Sequence, residues 1–153
     1  MKKALIFYGG WDGHEPRLVA ARFGRLLERE GFAVEISDTL DCLAEGGKLL
    51  EYDLFVPCWT GGDLPGEYTQ NISKAIGRGA GIAGCHGGMC DSFRTNTEWQ
   101  FITGGQWVSH PGGDGVEYTV NIHHGASPIT DGLEDFKVCS EHYYLHVDPS
   151  IEV

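Results

Sequence analysis

The stretch Ala4-Leu5-Ile6-Phe7-Tyr8-Gly9-Gly10 decides how the rest of the chain reads. An unbroken apolar run stopped by two glycines is the pattern of a strand buried on both faces of a parallel sheet; a half-exposed antiparallel strand would alternate. Working outward, the period changes at Pro16. From there to Glu30, Leu18, Val19, Ala21, Phe23, Leu26 and Leu27 recur at broadly helical spacing, with Pro16 suited to a first turn and Gly31 to the stop. Residues 32–36, 52–58 and 81–85 then read as a second, third and fourth strand, with a helix over about 67–78 between the last two. Alternating strands and helices with short connections imply right-handed crossovers, so the fold class is α/β, a mainly parallel sheet with helices on both faces. Such sheets bind ligands beyond the carboxyl ends of their strands. Those ends carry Gly9 to His14, Trp59 to Gly62 and His86 to Asp91, three loops expected to converge on one crevice.

A length of 153 residues suits one domain over 1–153. Beyond Arg94 the texture turns aromatic and glycine-rich, with further strands expected over 118–122 and 136–139 and no obvious final strand or closing helix before Val153. Hydrophobic residues make up 41% and charged residues 22%, ordinary for a globular chain, and no apolar run is long enough to cross a bilayer. Met1-Lys2-Lys3 leads into a run too short for a signal-peptide core, so a cytoplasmic location is expected. A formal net charge of −11 would repel phosphate backbones, which argues against nucleic acid as a partner. Five cysteines without CxxC spacing read as reduced thiols. Neither a GxxxxGK[ST] loop nor a GxGxxG after the first strand is present, so no nucleotide cofactor is expected.

The residue-level candidates start at Gly84-Cys85-His86-Gly87-Gly88. A strand ending this way before a helix-like segment fits a sharp elbow of the form small-x-nucleophile-x-small, whose glycines relieve crowding. Two registers compete: flanks Gly84 and Gly88 present His86, the preferred reading, whereas flanks Ala83 and Gly87 present Cys85 as a nucleophile. A capping histidine in a glycine-rich turn would give the same letters. His86, Glu141 and Asp91 are the candidate acid/base groups. His14, His86 and His110 could supply imidazoles to a divalent metal such as zinc, with ligands drawn from separate loops. Trp11, Trp59 and Tyr143, with Arg94, are candidates for binding a sugar ring by stacking and hydrogen bonding. Trp99, Trp107 and Tyr144 are also expected near loops, and His123-His124 in a solvated turn.

Taken in order, Tyr52-Asp53-Leu54-Phe55-Val56, Gly61-Gly62-Asp63, His86-Gly87-Gly88, Gly104-Gly105 through His110-Pro111, Pro128-Ile129-Thr130-Asp131-Gly132-Leu133, and Ser140-Glu141 before Tyr143-Tyr144 resemble the ThuA-like family, the trehalose-utilisation proteins. That resemblance implies a flavodoxin-like three-layer sandwich similar to class I glutamine amidotransferases, and a role in carbohydrate metabolism beside sugar oxidoreductases. His86, His110 and Glu141 match recurrent family positions. The amidotransferases need an elbow cysteine, and in the preferred register His86 takes that place here, so glutaminase activity is not expected. Family members continue with a further strand and helix, which implies a sheet truncated at its carboxyl-terminal side. Two functions follow as expectations: an enzyme acting on a sugar or keto-sugar, in which His86 with His110 or Glu141 holds a metal or shuttles a proton, and a non-catalytic sugar-binding subunit of a sugar oxidoreductase. A homodimer is the expected assembly if the chain associates with itself.

Overall fold

A computed structural model describes residues 1–125 and 127–151. The chain divides into two compact units, Met1–Gln106 and Trp107–Val153.

In the first unit, β1 (Lys3–Gly10) is followed by a 3-10 turn at Asp12–His14 and by α1 (Pro16–Arg29). β2 (Ala33–Ser37), α2 (Gly46–Leu49), β3 (Leu54–Thr60), α3 (Gly66–Gly77) and β4 (Gly81–Ile82) complete a parallel sheet of order β2-β1-β3-β4. α4 (Gly87–Cys90) and α5 (Thr97–Thr103) follow. Ala4 to Phe7 are wholly buried, as the unbroken apolar run requires. The strand period of two sends Leu5 and Phe7 to one face, where they pack with Phe55, Leu43, Leu49, Ile72 and Trp99. Ile6, Val56 and Cys58 face the other way, onto Ala20 of α1. Gly24 lets α1 settle closely on the sheet, since a Cβ there would lie 2.9 Å from Ile36 Cδ1. This is the α/β, flavodoxin-like arrangement, with a helical layer on each face.

The fourth strand is shorter than the sequence reading of 81–85, and Pro57 supplies the reason. The Phe55 carbonyl accepts from the Ala83 N–H at 3.0 Å, so Phe55 turns its backbone groups toward β4. Pro57, two residues on, turns the same way and has no N–H to give. The ladder therefore lapses, and the chain leaves the sheet through Gly84 into the turn at His86.

The second unit contains an antiparallel pair, β6 (Val116–Val120) with β7 (Phe136–Ser140), after β5 (Gly105–Ser109), which begins in the first unit and pairs with β8 (Tyr144–Val147). β8 corrects the expectation that no further strand precedes Val153. Among the described residues, no helix is long and apolar enough to cross a membrane.

Candidate functional site

The site in the first unit is assembled by backbone contacts between loops. Gly10, at φ +78, brings the chain so close to β3 that a Cβ would lie 2.0 Å from the Thr60 carbonyl oxygen, and only glycine tolerates that approach. The Trp11 N–H then donates to the same Thr60 carbonyl at 3.1 Å. One 3-10 turn later, His14 Nδ1 and Thr60 Oγ1 share a hydrogen bond of 2.8 Å. The imidazole of His14 stands edge-on to that of His86, with ring centroids 4.8 Å apart, and edge-on to the Trp11 indole at 4.6 Å. Gly87 completes the fit. A Cβ at that position would lie 2.5 Å from His14 Cε1, inside any tolerable contact.

His86 is the strained residue of the turn. Its backbone sits at φ 54 and ψ −144, a region that costs an L-residue about 1–3 kcal/mol and persists only where the surroundings impose it. Cys85 lacks this conformation, and although the residue is exposed, partial desolvation pushes its thiol up from the ordinary range, away from the thiolate a nucleophile needs. Cys58, beneath it on β3, is pushed up to about 12, first by burial and then by the charge of Cys85.

Beside these residues lies a pocket of about 310 Å³. Pro16 and Val19 give it apolar walls, while His14, Thr60 and His86 bring polar groups to it. The arrangement can bind a ligand by its apolar face and exchange a proton with it through an imidazole. A larger concavity lies on the β6–β7 pair, between Tyr118 and Lys137, but no histidine lines it.

The other sequence candidates fall elsewhere. Asp91 is buried and binds Arg94 in a two-point ion pair, Nη2 to Oδ2 at 3.0 Å, while its carbonyl accepts from the Gly61 N–H at 2.8 Å. This geometry makes the Asp91–Arg94 pair a brace for the turn, and neither lines the pocket. Trp59 lies half-buried over Gly9 and tilts against Phe93, on the core side of β3. Trp99 is a core residue of α5, 1% exposed, in contrast to the loop position expected for it. Thr60 was missed by sequence reasoning, because a threonine at a strand end carries no signal until the fold sets it against His14.

His110, Glu141 and Tyr143 gather in the second unit. His110 Nε2 is 3.7 Å from Glu141 Oε1, and its ring stacks with Tyr143 at 6.3 Å and lies 5.7 Å from the Trp107 ring. The Tyr118 hydroxyl donates to the Glu141 carbonyl at 3.0 Å, and His142 stacks on the Tyr118 ring. His123 and His124 lie in a loop, where His124 Nε2 comes within 3.9 Å of Glu134. Among the described residues, no group of three or more His, Cys, Asp or Glu is arranged to hold a metal ion.

These features can be set beside known proteins. None of the curated proteins compared matches the chain. A solved structure of a ThuA-like protein from Bacteroides uniformis is similar, with a TM-score of 0.70 and 21% identity over 93% of this chain. The chain spans 60% of the length of that structure, and at this identity the likeness concerns the fold. The family model for ThuA, described as trehalose utilisation, matches residues 3–153. A match over nearly the whole length places the chain in the ThuA family.

Proposed function

We propose that this protein is a sugar-processing enzyme whose His86 moves a proton on a sugar or keto-sugar bound in the pocket above β1, β3 and β4. The observation that carries the reading is His86 itself. A residue at φ 54 and ψ −144, set edge-on to a second imidazole at the wall of a pocket, holds a strained conformation that a capping role does not require. The polar side chains at the pocket suit acid/base chemistry better than nucleophilic attack. In its neutral form an imidazole nitrogen accepts a proton, and a second imidazole in its cationic form returns one to another atom of the substrate. A carbon next to a ketone is where such a pair has most effect, because the carbanion formed there is stabilised as an enolate.

The hydrogen bond to Thr60 fixes the orientation of His14, so His14 is the partner held for His86. A divalent metal such as zinc is the other way the two imidazoles could work, as an incomplete ligand set finished by water or substrate. Direct proton transfer comes first because no third protein ligand is arranged with them among the described residues.

The test compares wild type and His86→Ala in sugar binding, turnover and metal content of untagged protein. The reading expects turnover to fall by about 10²–10⁴-fold in the variant while sugar still binds. Stoichiometric metal lost from the variant would redirect the mechanism to metal assistance. Sugar bound equally by both proteins without turnover by either, with a sugar oxidoreductase co-purifying, would instead support a non-catalytic accessory subunit.

A further inference from the structure

We infer that the open edge of β2 is an interface at which two copies of this chain pair, β2 running antiparallel to β2 about a two-fold axis, so that one continuous sheet crosses the dimer. The inference stands apart from the chemistry at His86. The strand order β2-β1-β3-β4 makes β2 and β4 the edges of the parallel sheet. β4 is only two residues long, and an edge that short offers little to pair with. β2 is five residues, Ala33 to Ser37, without the lysine, proline or bulge that blunts an edge strand. The Ala33 N–H donates to the Lys2 carbonyl at 2.8 Å, so Ala33, Glu35 and Ser37 turn their backbone groups to β1, while Val34 and Ile36 turn theirs outward. Among the described residues nothing bonds to those outward groups.

The second copy is the occupant because this edge is complementary to itself. With Val34 of one copy opposite Ile36 of the other, the pair exchanges two backbone hydrogen bonds, and the axis makes the pair twice. Ile36, 45% exposed in the single chain, is covered. On the face away from α1, Glu35 and Lys48 form an ion pair at 2.8 Å with each side chain 44% exposed. The axis sets that pair against its own copy, so opposite charges meet across the interface. On the other face, Gly24 of α1 lies against Ile36, and Arg17 and Glu28 share its side of the helix, both exposed and in no ion pair among the described residues. The axis runs the two helices antiparallel, which brings the Arg17 end of one beside the Glu28 end of the other. Two copies with a net charge of −11 repel at long range, so a face that joins them must be locally balanced, as this one is.

The experiment is sedimentation velocity over a range of concentrations, with amide hydrogen exchange read by NMR on the same samples. Wild type is expected to dimerise at about 10–100 µM, the range of a small interface. In the dimer the Val34 and Ile36 N–H groups should exchange about tenfold more slowly than in the dilute monomer. Ile36→Lys puts a charge on the edge and should weaken association about 100-fold, with an unchanged far-UV circular dichroism spectrum. Lys48→Glu, at an exposed position, gathers four carboxylates at the axis and should weaken it about tenfold; this variant and the exchange rates decide the question if Ile36→Lys does not fold. A wild type that stays monomeric at about 1 mM overturns the second copy as the occupant. A dimer that leaves the Val34 and Ile36 amides unprotected, or that forms equally well in the two variants, overturns the β2 edge as its interface.

Discussion

At the scale of single residues, the site is a set of glycines that make room and one histidine that does not fit its backbone. Gly10 admits the Thr60 carbonyl, Gly87 admits the His14 ring, and His86 occupies a conformation that glycine would adopt without strain. A stability prediction follows from this mismatch. His86→Ala and His86→Gly both remove the imidazole, but only glycine relieves the backbone. The glycine variant should be the more stable by about 1 kcal/mol, allowing for its extra freedom when unfolded. Chemical denaturation of the two variants measures this directly, and equal midpoints would contradict a strained apex. The elbow was legible in the sequence because glycines bracket it; which residue stood at its apex was not, since both registers satisfy the same letters. Thr60 was illegible for a different reason: its role is a distance to a side chain 46 positions away.

At the scale of elements, the first half of the chain follows its hydrophobic period closely. The run at Ala4 and the helical spacing after Pro16 state their own structure, and β1 and α1 form where that spacing puts them. β4 departs because a proline on its neighbour withholds one hydrogen bond, a pairing effect that the apolar run 81–85 cannot register. α5 escaped notice because it is short and places Trp99 in the core, whereas an aromatic among polar residues reads as a loop. A tie between elements gives a pH prediction. The Tyr52 hydroxyl donates to Glu35 Oε2 at 2.5 Å, and Lys48 Nζ binds the other oxygen at 2.8 Å, fastening β2 to the segment that follows α2. Burial and then the bond to Glu35 push Tyr52 up to about 12. A raised tyrosine favours the neutral form in the fold, so its contribution is whole below its ordinary pKa near 10 and is lost as pH rises toward 12. The stability advantage of wild type over Tyr52→Phe should therefore shrink by about 1 kcal/mol between pH 9 and 12, a figure discounted for the exposed Lys48–Glu35 pair. Cys58 titrates in the same window in both proteins and cancels from the difference. Parallel pH profiles for the two proteins would contradict the assignment.

At the scale of the whole molecule, family membership spans both compact units, while each unit builds its own cluster of aromatic and titratable groups. His14, His86 and Trp11 belong to the first; His110, Glu141 and Tyr143 belong to the second. The sequence placed candidates in both because histidines and aromatics mark each, but spacing along the chain holds no information about which side chains meet within a unit. Thiol chemistry separates the acid/base account from a cysteine hydrolase. Cys85 is exposed but partial desolvation pushes its thiol up, so alkylation by iodoacetamide at pH 7 should be slow and should spare turnover; rapid loss of activity with modification of Cys85 alone would restore the cysteine reading.

Proton NMR in deuterium oxide shows whether His86 exchanges a proton with a sugar carbon. The probe is trehalose carrying one ring hydroxyl oxidised to a ketone, incubated with wild type or His86→Ala. Wild type should wash out the proton next to the ketone well above the protein-free rate, and His86→Ala should lose at least 100-fold of that excess. Exchange by wild type at the protein-free rate, or equal exchange by the variant, would contradict proton transfer by His86.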